Sequence, residues 1–219
     1  MKILTQLALG SIGQFKPRPP REDVDTRVLL PRPTRSGGMP LMQSLNLRQS
    51  QRDFAPGALS EQQLSDLLWA AAGVNRHDLG GRTAPSAMNC QEVTLYVALP
   101  GGLYRYEAAD HELCLELPGD VRAVSGHQDF ASTAPVDLIY VADHARMKLV
   151  PAEQRAGYAF ATAGAMAQNV YLYCASEGLA AVLRAWFERD ALSVAMGLCT
   201  DQQLLLAQTV GMPKATTPP

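Results

Sequence analysis

AEQRAGYAFATAGAMAQNVYLYCAS, residues 152–176, is the stretch on which the fold turns. It contains no proline, is rich in alanine, and is punctuated only by Gly157 and Gly164. The pattern predicts the longest helix of the chain, ending near Glu177-Gly178. A helix apolar on most of its faces has to be buried, and its small side chains permit close approach of another helix. It therefore reads as a central helix with the rest of the chain packed around it.

Outward from that helix the pattern changes period. Leu179–Leu183 reads as a strand or extended passage, Arg189–Met196 as a helix ending at Gly197, and Leu204–Val210 as a final strand. On the amino-terminal side, Val136–Ala142 is an apolar strand of the buried kind, interrupted by Asp137, and Val121–Ala131 reads as helical. Glu92–Leu99 alternates, with Val93, Leu95 and Val97 on one face. It turns through Pro100-Gly101-Gly102 into Leu103–Tyr106, a hairpin, and His111–Leu117 adds a third short strand. Asn75–Met88 reads as a loop. Ser60 is an N-cap with Gln63 three residues on, Leu59 and Leu64 form a hydrophobic staple, and Leu64, Leu67, Leu68 and Ala71 make a buried stripe. Gly73 then serves as the C' residue, with Trp69 at the edge of the stripe.

At 219 residues, with 47% hydrophobic and 18% charged residues, the chain suits one medium domain that buries its own core. A net charge of -2 gives no global pull toward nucleic acid or acidic membranes, so any anion binding must be local. No run approaches the roughly 20 apolar residues that span a bilayer. Met1–Gly13 is short and broken by Gln6, which argues against a secretory signal and for a cytoplasmic protein. Cys90, Cys114, Cys174 and Cys199 lack C-x-x-C spacing and read as reduced thiols, a bridge between distant ones remaining open. His77, His111, His127 and His144 show no metal-ligand spacing, so no metal is expected.

Residues 1–40 read as an extended arm, dense in proline from Gln14 to Pro40, and residues 41–219 as a single domain. A short helix around Leu41, Met42 and Leu45 delivers the chain to Arg48-Gln-Ser-Gln-Arg-Asp-Phe54. In an extended segment Arg48, Ser50 and Arg52 point the same way and offer charge-assisted donors to a phosphate. An isolated R-x-S-x-R equally describes a solvated basic turn. Thr83–Gln91 carries small residues with Asn89 and Gln91, which suits either a flat ligand or a plain polar loop.

Taken in order, several pieces resemble the FMN-dependent nitroreductase superfamily: Arg48-x-Ser50-x-Arg52-x-Phe54, Leu67-Leu68-Trp69-Ala70-Ala71, Arg82-Thr83-Ala84-Pro85-Ser86-Ala87-x-Asn89-x-Gln91 and Gly102-Leu103-Tyr104-Arg105-Tyr106. The second and fourth pieces are similar to its SagB-like branch. The resemblance covers roughly residues 39–214. It implies an α+β nitroreductase-like fold, a mostly antiparallel sheet flanked by helices around a long central helix, in an intertwined homodimer with FMN at the interface. It assigns Arg48, Ser50 and Arg52 to the phosphate and ribityl chain. Pro85, Ser86, Ala87 and Asn89 would reach the flavin of the other subunit. Leu183, Arg184, Ala185 and Trp186 would pass over the ring, with Gln128 a ring or ribityl contact and Lys214 a last phosphate cation.

The chain departs from the family where the ring segment reads Leu183-Arg184-Ala185-Trp186 in place of Gly or Glu. Trp186 would narrow the substrate face, and Arg184 would favour acidic substrates or nicotinamide phosphates. The lysine-tyrosine pair of azoline oxidation is not visible. The implied activity is NAD(P)H-dependent reduction, through FMN N5, of a nitroaromatic, a quinone or a similar small acceptor. No side chain is needed as catalytic acid or base, because the cofactor carries the hydride. The alternatives are a flavin-binding protein without turnover and a SagB-like dehydrogenase of a peptide heterocycle. A proline-rich arm on an interlocked dimer would embrace the partner subunit.

Overall fold

The computed structural model describes residues 26–78 and 80–214. Seven strands form the main sheet: β1 (Arg27–Leu29), β4 (Val93–Leu99), β5 (Gly102–Glu107), β6 (Glu112–Pro118), β7 (Val136–Asp143), β8 (Ala180–Arg184) and β9 (Gln202–Gly211). Their order is β1-β6-β5-β4-β7-β9-β8, and every neighbouring pair is antiparallel. The hairpin of the sequence reading is β4–β5, with Leu99 opposite Gly102. Val136–Asp143 is central because it offers apolar side chains to both faces, and all but its last residue are buried.

One face of the sheet carries α2 (Glu61–Ala72) and the central helix α4 (Ala152–Glu177). In α2 the capping box is complete: Ser60 Oγ accepts from Gln63 N at 3.1 Å, and Ser60 N donates to Gln63 Oε1 at 3.0 Å. Leu67, Leu68 and Ala71 are fully buried, and Leu59 and Leu64 pack against the same core. Gly73 ends the helix in extended conformation, φ -65°, not the left-handed one the sequence suggested. Glycine is needed there because a Cβ would come within 2.2 Å of the Trp69 ring. The opposite face is covered by α5 (Arg189–Ala195) and Phe187, over Tyr96, Leu103, Ile139 and Leu204.

Helix α4 buries Ala159, Ala163, Met166, Ala167, Val170 and Cys174 at helical spacing, and closes on Gly178 in the left-handed conformation, φ 68°. Its other face is open. Tyr158 is 45% exposed and Phe160 38% exposed, and a Cβ at Gly157 or Gly164 would meet nothing within 4 Å. The helix is thus buried on one stripe and not on most faces, and its glycines make no close approach within the chain.

Two segments differ from the sequence reading. The loop expected over Asn75–Met88 contains a short ribbon, β2 (Val74–Arg76) paired with β3 (Gly81–Arg82), closed by Thr83 N donating to Gly73 O. The helix expected over Val121–Ala131 divides into a 3-10 turn, Arg122–Val124, and α3 (Asp129–Thr133). The break falls at Gly126, whose missing side chain leaves room for the Arg184 guanidinium; a Cβ there would sit 1.7 Å from Arg184 Nη1.

Residues 1–25 of the expected arm, with Met1–Gly13, lie outside the described residues. The remainder is attached to its own subunit. β1 pairs with β6, Ser65 Oγ donates to Pro31 O, Thr34 N donates to Asp66 Oδ1, and Met39 N donates to Ser176 Oγ. All four cysteines are free thiols. Among the described residues no helix is long and apolar enough to cross a membrane, and no cluster of His, Cys, Asp or Glu could hold a metal.

Candidate functional site

Helix α1 (Leu41–Leu47) ends on Arg48, whose N–H donates to Ser44 O. The chain then runs extended along the sheet edge. Gln51 N donates to Ala181 O on β8, Ala55 N donates to Met212 O, and Lys214 N donates to Asp53 O. Phe54 bridges to Pro213 and stacks on Phe130, ring centroids 5.5 Å apart. These bonds bring Arg48, Ser50, Arg52 and Lys214 to the edge formed by β8 and the end of β9. Ser50, Arg52 and Lys214 are exposed and Arg48 is half-buried.

The link between this segment and the next is Tyr171, a residue the sequence reading missed. Its hydroxyl lies 2.8 Å from Ser50 Oγ and accepts from Leu183 N at 2.7 Å, while the Arg48 guanidinium lies over its ring, 5.4 Å from the centroid. The available signal was a phenol on the buried stripe of α4, at positions otherwise apolar or small.

From Leu183 the strand ends at Arg184, and the chain continues into Ala185 and Trp186. Here one expectation is corrected. Arg184 does not face a substrate. Its side chain is buried, donating from Nη2 to Asp137 Oδ1 at 2.8 Å, from Nε to Thr209 Oγ1 at 3.0 Å and from Nη1 to Ser125 O at 2.8 Å. The polar residue interrupting β7 is the reason: a carboxylate with no exposure requires a cation, and Arg184 is that cation. Gln128 comes to the same place, its Oε1 accepting from Arg184 Nη1 at 3.4 Å. Trp186 is 71% exposed and packs against His127, ring centroids 5.2 Å apart, and His127 Nε2 lies 3.3 Å from Glu188 Oε1.

Pro85, Ser86, Ala87 and Asn89 lie elsewhere. Met88, Asn89 and Gln91 all have positive φ, at 51°, 54° and 49°. Left-handed conformations in non-glycine residues cost of order 1–3 kcal/mol each, so the loop is held by its surroundings. Gln91 is one of the struts: its N–H donates to Ser86 Oγ, and its amide Nε2 donates to Gly80 O and Asn89 Oδ1. It supports the loop from inside instead of offering a ligand its edge. Just upstream, burial and the nearby Arg146 push the Arg82 guanidinium down to about 10. Burial also pushes the thiols of Cys90 and Cys174 up, which leaves neither as a nucleophile at neutral pH.

The loop and the Arg48 segment are far apart in one chain. Ala87 and Met88 line a cavity of about 410 Å³ with Gln154 and Tyr158, on the first turns of α4. Tyr171 lies thirteen residues beyond Tyr158, about 20 Å along the helix at 1.5 Å per residue. The predicted residues thus fall into two groups: Arg48, Ser50, Arg52, Gln128, Leu183–Trp186 and Lys214 at one end, Pro85–Asn89 at the other.

The first group fits a phosphate-bearing cofactor such as FMN. It offers two guanidiniums, an ammonium and a hydroxyl, three of them solvent-accessible, beside the end of β8.

Comparison with known proteins shows the family. The Nitroreductase family model matches residues 45–212. A protein of Methanocaldococcus jannaschii that carries the nitroreductase name is 32% identical over 149 residues, covering 62% of this chain and 73% of its own length. A crystal structure from Ralstonia eutropha under the same name superposes with a TM-score of 0.84 at 48% identity, over 92% of this chain and 96% of that one. A crystal structure from Desulfovibrio desulfuricans in complex with FMN shares the fold, with a TM-score of 0.59 at 19% identity over 84% and 94% of the two chains. With the family model matched over residues 45–212, well over half of its length, this chain belongs to the Nitroreductase family of oxidoreductases.

Proposed function

We propose that the protein is an FMN-dependent oxidoreductase working as a homodimer, with NAD(P)H as donor and a nitroaromatic, a quinone or a similar small compound as acceptor. The observation that carries this reading is the convergence of Arg48, Ser50, Arg52 and Lys214 on the same sheet edge from which Leu183–Trp186 emerges. FMN, when bound, supplies hydride transfer at its ring. The chain supplies the rest. Arg48, Arg52 and Lys214 would hold the phosphate, Ser50 would donate to it, and backbone N–H groups beyond Arg184 would address the ring, since Leu183 N is taken by Tyr171. Trp186, exposed at the end of that segment, walls the acceptor's side.

The homodimer is supported by the separation of the two groups. One cofactor cannot touch both ends of a helix face roughly 20 Å long. Two copies with their α4 helices antiparallel would bring Pro85–Asn89 of one to the Arg48 segment of the other. The surface for such a contact is the open face of α4 together with Leu41, Met42 and Leu45 of α1, all exposed.

The test is optical. The purified protein should bind one FMN per subunit, bleach on addition of NADPH and regain colour with a quinone. Replacing Arg48 and Arg52 together by Ala should weaken FMN about a hundredfold, the value of two charge-assisted hydrogen bonds, with folding intact. A colourless protein indifferent to added FMN overturns the reading.

A further inference from the structure

The contacts around Tyr171 carry more than a cofactor seat. Its ring and hydroxyl reach three groups that lie far apart in the sequence: the Arg48 guanidinium, the Ser50 hydroxyl and the Leu183 amide. Only the last of these belongs to the segment beside the proposed ring site. A phenol has one proton to give. With its oxygen accepting from Leu183 N, Tyr171 has the Ser50 oxygen as the acceptor for that proton. Ser50 then keeps its own proton for something else. Since Ser50 is exposed, that proton is free to meet an arriving anion.

With Tyr171 as donor to Ser50 the hydrogen bonds run in one direction, from Leu183 N–H to Tyr171 and from Tyr171 O–H to Ser50. Such a chain polarises cooperatively, so an anion accepting from Ser50 strengthens the bond that Tyr171 makes to Leu183. The ring of Tyr171 meanwhile holds Arg48 by a cation–π contact that does not depend on the hydroxyl.

From this geometry we infer that Tyr171 is a positioning residue. It sets the direction of the Ser50 hydroxyl toward the cofactor's phosphate and passes occupancy of that site to the backbone at Leu183. Phosphate binding and placement of the Leu183–Trp186 segment are thereby one coupled event. The inference rests on the FMN reading above, and it extends that reading by naming the residue through which the two halves of the site communicate.

The experiment compares FMN with riboflavin, which lacks the phosphate, by quenching of flavin fluorescence in the whole protein. The ratio of the two affinities isolates the phosphate. Wild type should prefer FMN. Tyr171→Phe keeps the ring beside Arg48 and removes the proton, and should cut that preference about tenfold. Ser50→Ala should do the same, and the double variant should be no worse than either single one, because both break a single chain. A second readout needs no change at Tyr171. Inorganic phosphate should shift the Leu183 amide resonance in wild type and not in Ser50→Ala, which decides the matter if Tyr171→Phe does not fold.

The outcomes are separable. A wild-type protein with no preference for FMN over riboflavin defeats the cofactor reading itself. Preference in wild type with an unchanged ratio in Tyr171→Phe defeats the role of Tyr171 alone, as do additive losses in the double variant or a Leu183 resonance indifferent to phosphate. A purely structural Tyr171 would lower the melting temperature and leave the ratio where it was.

Discussion

Replacing Arg184 by Met should be among the most damaging single changes in the chain, although Arg184 lies near the end of an edge strand. Asp137 has no solvent exposure, and Arg184 supplies the positive charge that compensates it. Removing one member of a buried pair typically costs about 3–5 kcal/mol, because the other charge is stranded. Here Thr209 Oγ1 and Ser125 Oγ still donate to the two carboxylate oxygens, which places the expected cost near the lower end, about 3 kcal/mol. For a chain of this size that corresponds to a fall of about 6–12 °C in melting temperature. The assay is chemical denaturation followed by circular dichroism, with Arg184→Met, Asp137→Asn and the double variant measured alongside wild type. If stranding of the carboxylate is the cause, the double variant is more stable than Arg184→Met alone, since Asn fills the same space without the charge. An Arg184→Met cost under about 1 kcal/mol, the value of an exposed ion pair, would refute the reasoning, as would a double variant no better than the single one.

Other predictions test the frame around the site. Ser60→Ala removes the N-cap of α2 and should cost about 1 kcal/mol, read as a fall of a few degrees in melting temperature. Gly126→Ala drives a Cβ into the Arg184 guanidinium, and should destabilise the fold and weaken FMN together, as seen by thermal melts and flavin titration. His111 is held below its ordinary value, chiefly by burial, while its ring nitrogens contact Ser65 Oγ and Tyr106 OH. Because the unfolded chain binds that proton more tightly, stability should be complete above about pH 6.5 and fall as pH drops below it. His111→Asn, which tolerates the positive φ of 54° at that position, should flatten this slope in denaturant midpoints measured from pH 7 to 5.

The parts of the fold legible in the sequence are those with a local signal. The capping box at Ser60 and Gln63, the turn between Leu99 and Gly102, and the proline-free, alanine-rich run of α4 each state their structure locally. Motif order singled out Arg48, Ser50 and Arg52 as a group, and backbone bonds to Ala181 and Met212 hold their segment along one sheet edge. What sequence did not reveal is what depends on long-range partners. Asp137 looked like an interruption until the strand that lies two places away supplied Arg184. Arg184 looked like a free cation for the same reason. Tyr171 was hidden because a phenol on a helix stripe resembles any other core aromatic, and its partners stand 121 residues before it and 12 after. The split near Gly126 was missed because the need for glycine there comes from a side chain 58 positions away.

The Leu183–Trp186 segment begins in the last two residues of an edge strand, where fraying is the ordinary expectation, and β8 counters it from both sides. Side chains alternate along a strand, so neighbouring residues are held from opposite faces. Leu183 packs with Ala181 toward α4, where its amide meets Tyr171. Arg184 turns the other way, into the network of Asp137, Thr209 and Ser125. The two attachments differ in strength. A neutral hydrogen bond contributes about 1 kcal/mol, whereas loss of the buried charge pair costs several times that. Arg184 therefore governs whether the segment stays folded against the sheet. Tyr171, weaker but joined to Ser50, can respond to a ligand without threatening the fold. A stiff attachment on one face and a weaker one on the other, joined to Ser50, hold the edge strand that carries Trp186.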